Sequence, residues 1–321
     1  MISFRRKAKE PAASAAEVAR APYVAPRSGF LDPKILSRIG DLELIARVVV
    51  EGFINGLHRS PHLGLSMDFA EHRAYMPGDD IRRIDWKVYA RTDRYYMKEF
   101  EADTNTNVLF LLDISKSMSF ASDGLSKLDY GRYLAASLAY FSHKQRDRIG
   151  IVTFDSEIVD FVPPSAKHLH ATLHAIERAS ATRAGALAEP LHRLTEHIRR
   201  RSVLVLISDL YDEPERVATA IDVLRGRGNE LIVFHILDPA ERNFPFDEAA
   251  NFEDLESGER IPVIPEYLRD QYRTVVAEHI ASLTTVFGQR GIDYQMFDTS
   301  RPLDYALFDY LANRQRLSRV R

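Results

Sequence analysis

The sequence has no cysteine, no long apolar run and no large excess of charge of either sign. The absence of cysteine among its 321 residues excludes disulfides and thiolate metal sites, so any metal must be held by oxygen or imidazole. A cytoplasmic location is therefore expected. No stretch approaches the roughly 18 uninterrupted apolar residues of a membrane span, and the basic N-terminus is not followed by an apolar signal core. We expect a protein that is neither secreted nor inserted in a membrane.

The charge balance and the missing motifs exclude several classes of function. With a formal net charge of −3 at pH 7, no general attraction to nucleic acid is expected. The chain contains neither GxxxxGK[ST] nor GxSxG, so neither ATP hydrolysis by a P-loop nor α/β-hydrolase chemistry is supported.

Three regions follow one another along the chain. Residues 1–30 are rich in alanine and proline without sustained helical periodicity, which is typical of a flexible tail. Residues 31–106 are predicted to form a small module of one helix followed by short strands. Its helix starts at Asp32 and Pro33, carries apolar residues at helical spacing, and is predicted to end at Asn55-Gly56.

Residues 107–321 alternate apolar strands with amphipathic helices. This pattern predicts an α/β domain with a doubly wound, mainly parallel sheet that is covered by helices on both faces. The short separation at residues 155–157 predicts an antiparallel hairpin at an edge. A second hairpin is expected in "FEDLESGERIPV", and a last helix near residues 302–316.

Two apolar strands of this domain end in an acidic residue, "LFLLD" at Asp113 and "VLVLISD" at Asp209. If the strand order reverses between them, both carboxylates face the crevice where doubly wound sheets bind ligands. Ser115 and Ser117 follow Asp113 in the loop past its strand. Carboxylate and hydroxyl oxygens are the ligands of a hard divalent cation, so Mg²⁺ or Mn²⁺ is the expected metal.

The run "DISKS", residues 113–117, resembles the metal-ion-dependent adhesion site of the von Willebrand factor A domain, which reads Asp-x-Ser-x-Ser after the first strand. The resemblance implies a three-layer α/β/α fold. It also implies two further ligands, an aspartate after the fourth strand and a threonine from a later loop. Asp209 matches the aspartate, and Thr182 matches the threonine best because Gly185 stands three residues on, as is usual in the family.

A longer resemblance includes "YMPGDDIRRIDWKVYARTDRYYMKEFE", the preceding "HRSPHLGLSMDF", "SVLVLISDL" and "HILDPAERNFPF". Together these segments resemble the bacterial family known as domain of unknown function 58, over roughly residues 40 to 315. Proteins of that family are often encoded beside MoxR-type AAA+ ATPases. The resemblance implies a non-enzymatic, metal-binding interaction domain, an adaptor or co-chaperone for such an ATPase. A carboxylate of a partner or client would complete the coordination of the metal.

Two alternatives remain open from the sequence. The Asp-x-Ser-x-Ser run is also a common polar turn after a strand. A Mg²⁺-dependent phosphohydrolase resembling the haloacid dehalogenase class also places an aspartate after its first strand, but its second aspartate, the general acid, would stand where Ser115 is. A serine hydroxyl does not protonate a leaving group well at neutral pH, so the non-enzymatic interpretation is favoured.

Overall fold

The computed structural model describes most of the chain beyond residue 105 and parts of the region before it. The described residues are 32–58, 72–74, 86, 89, 91, 93–98, 106–198, 200–307 and 310. The predicted tail at residues 1–30 and most of the predicted module between residues 59 and 105 lie outside them. Within the described ranges, no helix combines the length and apolar character needed to cross a membrane.

Within the part of the chain that the structure describes, six of the ten strands form one sheet. In chain order the strands are β1 (His72–Ala74), β2 (Tyr96–Lys98), β3 (Asn107–Asp113), β4 (Arg148–Phe154), β5 (Ile158–Ser165), β6 (Ser202–Ser208), β7 (Glu230–Leu237), β8 (Ala250–Glu253), β9 (Arg260–Val263) and β10 (Asp293–Asp298). The large sheet has the order β10-β7-β6-β3-β4-β5. All its neighbours are parallel except β4 and β5, which confirms the predicted edge hairpin.

Helices cover both faces of this sheet. They are α1 (Pro33–Leu36), α2 (Leu42–His58), α3 (Lys127–Lys144), α4 (Leu169–Arg178), α5 (Ala188–His197), α6 (Pro214–Arg225), α7 (Pro239–Asn243) and α8 (Pro265–Gln289), with a short 3₁₀ helix at Lys116–Ser119. One apolar core joins the sheet to α2, α3 and α4, and a second joins its other face to α5, α6 and the end of α8. The predicted three-layer α/β/α fold with a mainly parallel sheet is confirmed.

The central strands are apolar throughout because both of their faces are buried. Along β3, Val108, Phe110 and Leu112 belong to the first core, whereas Leu109 and Leu111 belong to the second. The polar residues that end such a strand are therefore the first ones free to line the edge of the sheet.

The single N-terminal helix predicted from residue 33 to Asn55-Gly56 is wrong in two respects. Helix α1 ends at Leu36, and a separate helix, α2, begins at Leu42. The Asp41 carboxylate accepts the Leu44 amide at 3.0 Å, so it caps a new helix start. Helix α2 then continues through Asn55-Gly56 to His58, because one glycine near a helix end costs only about 1 kcal/mol.

Helix α2 packs against the sheet domain. The Phe53 and Phe141 rings meet edge to face with centroids 6.2 Å apart, and both residues lie in the first core. The division of the chain at residue 106 stays a prediction. The predicted second hairpin is confirmed as β8 and β9. Residues 303–307 are helical, and the predicted end of the last helix at residue 316 lies outside the described residues.

Candidate metal centre

The strand order reverses between β3 and β6. Strand β3 lies between β4 on one side and β6 on the other, and the chain runs outward from this pair in both directions. The carboxyl ends of β3 and β6 therefore flank the switch point, where doubly wound sheets form a crevice. Asp113 ends β3 and Asp209 directly follows β6, so the strand reversal on which the predicted crevice depends is confirmed.

The turn after β3 brings one carboxylate and two hydroxyls together. The Asp113 Oδ1 atom accepts the Ser115 N–H at 2.8 Å, and its Oδ2 atom accepts the Ser208 hydroxyl at 2.6 Å. The Ser115 and Ser117 Oγ atoms lie 3.0 Å apart. Asp113, Ser115 and Ser117 are all buried. The oxygens of the sequence motif therefore lie close together and are buried.

The environment of Asp113 is negative. Burial and, after it, the charge of Asp209 raise the pKa of its carboxyl to about 7, against hydrogen bonds from Ser208 and Ser115 that lower it. A positive charge at this place would stabilise the ionised Asp113 carboxylate and lower its pKa.

Asp209 is paired with a buried lysine that sequence reasoning missed. The Lys127 ammonium, wholly inaccessible to solvent, lies 2.8 Å from Asp209 Oδ2 and 2.7 Å from Glu241 Oε1. Burial alone would lower the pKa of Lys127, but the charges of Asp209 and Glu241 outweigh burial and raise it. Lysine is in the first turn of α3, where its charge opposes the helix dipole. This unfavourable position of Lys127 was the feature of the sequence that could have indicated another role for it.

Glu241 is held in place by the start of α7. Its Oε2 atom accepts the Asp238 N–H at 2.8 Å, while Asp238 accepts the Ala240 amide at 2.7 Å. The two side chains form a capping box, which "DPAE" at residues 238–241 encodes. The same glutamate thus caps a helix with one oxygen and binds Lys127 with the other.

The loop before α5 crosses the turn. Arg183 forms an isolated parallel bridge with Ser115, its carbonyl accepts the Lys116 N–H at 2.8 Å, and its guanidinium binds Asp155 at 2.9 Å. A β-carbon at Gly185 would collide with that of Ser115. The side chain of Thr182 is exposed, and the residue paired with Ser115 is its neighbour Arg183. Thr182 as a ligand stays a prediction.

The backbone that follows Asp209 is strained. Leu210 has φ of 52°, in the left-handed region that costs a residue with a β-carbon roughly 1–2 kcal/mol. Its N–H donates to the Ser208 hydroxyl at 3.0 Å, and its side chain is buried. The local fold therefore holds the Ser208–Leu210 segment in one arrangement beside Asp113.

The residues of the turn fit a hard divalent cation in donor type and in charge. Asp209 and Glu241 both bind the Lys127 ammonium, and the charge of Asp209 acts on Asp113. Three carboxylates and one ammonium leave two negative charges when Asp113 is ionised. Within the described part of the chain, no group of three or more His, Asp or Glu side chains is arranged to hold a metal. The serine hydroxyls would therefore be needed as ligands, as in the predicted site.

The chain matches a known protein family over residues 71–282. The description of that family is "Protein of unknown function DUF58". The chain belongs to the DUF58 family. This confirms the resemblance seen in the sequence, whereas the association with a MoxR-type ATPase stays a prediction.

Similar proteins cover most of the chain. A relative, the uncharacterized protein Rv1480 of Mycobacterium tuberculosis, is 28% identical over 300 residues, which is 90% of this chain and 93% of the relative. The conserved hypothetical protein BatB from Bacteroides thetaiotaomicron has 16% identity and a TM-score of 0.43, covering 66% of this chain and 99% of BatB. The VWA domain of SpRpn10 has 10% identity and a TM-score of 0.34, covering 62% of this chain and 92% of that domain.

Proposed function

We propose that this DUF58 protein is a non-enzymatic interaction module that recognises a carboxylate of a partner protein through a divalent metal held at the Asp113 turn. The observation that carries the proposal is the convergence of Asp113, Ser115 and Ser117 at the switch point of the sheet. These buried oxygens are 2.6–3.0 Å from their hydrogen-bond partners, and they belong to the type of ligand that Mg²⁺ and Mn²⁺ take.

In this proposal, Asp113, Ser115 and Ser117 hold the metal. Asp209 contributes charge to the site, because one of its oxygens is already bound to Lys127 at 2.8 Å. A bound divalent cation would supply the positive charge on which a carboxylate from another protein can dock. Since the protein provides few charged ligands, the metal would keep positions for water or for that carboxylate.

The partner proposed from the family resemblance is an AAA+ ATPase of the MoxR type or an acidic residue of its client. A fold of this kind hosts many functions, so the partner assignment rests on analogy. The proposal for a carboxylate rests on the chemistry of the site itself. A pull-down with the cognate ATPase in Mg²⁺ and again in EDTA tests the partner, and equal recovery in both would contradict a metal-mediated contact.

The phosphohydrolase alternative finds no general acid at the expected place. Ser115 occupies that position, and its hydroxyl contacts Ser117 at 3.0 Å. We expect no turnover of p-nitrophenyl phosphate in Mg²⁺. Turnover that disappears in Asp113→Asn would favour the enzyme.

Calorimetric titration with Mg²⁺ and Mn²⁺ tests the metal directly. We expect saturable binding to the wild type and at least a tenfold weaker affinity in Asp113→Asn and Ser117→Ala. The matched control is Ser119→Ala, because Ser119 lies in the same turn but is exposed and its hydroxyl donates to the Lys116 carbonyl at 2.7 Å. Circular dichroism shows whether each variant is folded. The absence of binding in the wild type, or equal binding in all variants, would refute the metal site.

A further inference from the structure

A glutamate of the β8–β9 hairpin lies across the candidate metal centre. The Glu256 Oε1 atom accepts the Ser117 N–H at 2.8 Å, and its Oε2 atom accepts the Gly185 N–H at 2.8 Å. One amide belongs to the turn after β3 and the other to the loop before α5. Two segments of the site are therefore joined by one carboxylate from a third segment, the β8–β9 hairpin.

We infer that the Ser117 and Gly185 amides form a carboxylate cradle, that Glu256 is its internal occupant, and that an acidic side chain of a partner protein displaces it. The inference deepens the proposed function and rests on it for the identity of the external ligand as a protein carboxylate. The cradle itself is formed by backbone groups and needs no metal.

The geometry of the cradle selects a carboxylate. Each amide donates to a separate oxygen of the same group, and hydrogen bonds to a charged acceptor are roughly twice as strong as neutral ones. A side chain at position 185 would collide with Ser115, so only glycine lets the second amide approach. A carboxamide offers only one acceptor oxygen, and its NH₂ group would face one of the two donors.

The hairpin that carries Glu256 is built to present it. Asp254 accepts the Glu256 N–H at 2.9 Å and the Ser257 hydroxyl at 2.7 Å, and Gly258 completes the turn with φ of 74°. These bonds and, more weakly, the charge of Lys116 lower the pKa of Asp254. The turn is therefore preformed, and it lies near the positive charge of Lys116.

The hairpin is also attached in a way that permits its release. Six of the eight residues of β8 and β9 are exposed, so little apolar surface holds the two strands down. An aromatic anchor lies on β8 close to the turn, where Phe252 stacks on Phe244 at 5.4 Å and meets Phe246 at 5.1 Å. The turn that carries Glu256 can leave the cradle while these rings stay packed, as expected of a locally unfolding segment.

Nuclear magnetic resonance of the two cradle amides tests the inference in EDTA, without metal or partner. The variants are Glu256→Gln and Glu256→Ala. The matched control is Glu259→Gln, which makes the same charge change at an exposed position of the same hairpin. We expect hydrogen exchange of the Ser117 and Gly185 amides to be about tenfold faster in both Glu256 variants, and unchanged in the control.

Acetate is the probe for displacement. It is expected to change the chemical shifts of the two cradle amides in Glu256→Ala until the effect saturates. In the wild type and in Glu259→Gln, where the internal carboxylate competes, the same shifts should need acetate concentrations at least tenfold higher. Equal acetate affinity in all three proteins, or no shift at either amide in Glu256→Ala, would overturn the inference.

This outcome is separable from that of the proposed function. Acetate binding in EDTA together with no binding of Mg²⁺ or Mn²⁺ would remove the metal and keep the cradle. Metal binding lost in Asp113→Asn, with no acetate effect in Glu256→Ala, would keep the metal centre and remove the cradle.

Discussion

Replacement of Lys127 by methionine is the most direct perturbation of the buried charges. Methionine fills a similar volume but leaves Asp209 and Glu241 without the ammonium that lies 2.8 Å and 2.7 Å from them. Removing one partner of a buried ion pair costs roughly 3–5 kcal/mol, because the remaining charge is left uncompensated. For a domain of this size, that corresponds to a fall in Tm of roughly 6–20 °C.

Urea unfolding followed by circular dichroism measures the loss, with Lys144→Met as the matched control on the same helix. The Lys144 side chain is 38% exposed and 3.9 Å from Glu51, so its replacement should cost less than about 1 kcal/mol. The double variant Lys127→Met with Asp209→Asn should be more stable than the sum of the single changes predicts, by about 1 kcal/mol or more.

A cost for Lys127→Met within 1 kcal/mol of that for Lys144→Met would refute the reasoning. It would mean that Asp209 and Glu241 reach water or take up protons at little expense once the ammonium is gone. Additive single changes would show that Lys127 does not interact with Asp209 as the distances indicate.

Three further predictions concern the loop, the interior histidine and the N-terminal helix. Gly185→Ala should cost roughly 1–3 kcal/mol in urea unfolding because its β-carbon would collide with that of Ser115; an unchanged midpoint would contradict this. Burial lowers the pKa of His235 to about 3 from 6.5, so the unfolded chain binds the proton first and stability falls as pH drops from about 6.5 towards 3, by up to about 1.4 kcal/mol per unit. This slope should be smaller in His235→Leu, and equal slopes would contradict it. Phe53→Ala should cost roughly 3–5 kcal/mol within one unfolding transition, since Phe53 packs against Phe141; a separate early transition would show that α2 unfolds on its own.

The sheet and the position of its switch point were predictable because both depend on local signals. Apolar strands alternating with helices predict a parallel sheet, and two strands that end in Asp113 and Asp209 predict where its crevice lies. The helix boundary at Leu36 was missed because the apolar periodicity continues across it. The Asp41 side chain, which caps α2, outweighs that periodicity.

The charges around the turn were not predictable from short motifs. Lys127 is 82 residues from Asp209 in sequence, and Glu256 is 139 residues from Ser117. Neither belongs to the run "DISKS", and each reaches the site only because the order of strands brings its element there. Thr182, chosen by its spacing from Gly185, is exposed. A spacing rule locates a loop but does not decide which of its residues faces the turn.

Lys127 and Glu256, two of the side chains that sequence reasoning missed, differ in what their removal should do. Lys127 and Asp209 are buried and Glu241 is mostly buried, so the contacts of Lys127 contribute to the stability of the fold. Glu256 lies on an exposed hairpin and binds two backbone amides, so Glu256→Gln should change the free energy of unfolding by less than about 1.5 kcal/mol. It should nevertheless change exchange at Ser117 and Gly185, which Lys127→Met should leave almost unaltered at low urea. If Glu256→Gln instead destabilised the whole domain as much as Lys127→Met, the hairpin would be a structural clamp. A clamp of that strength could not be displaced by the side chain of a partner, because the exchange of one carboxylate for another offers no comparable gain.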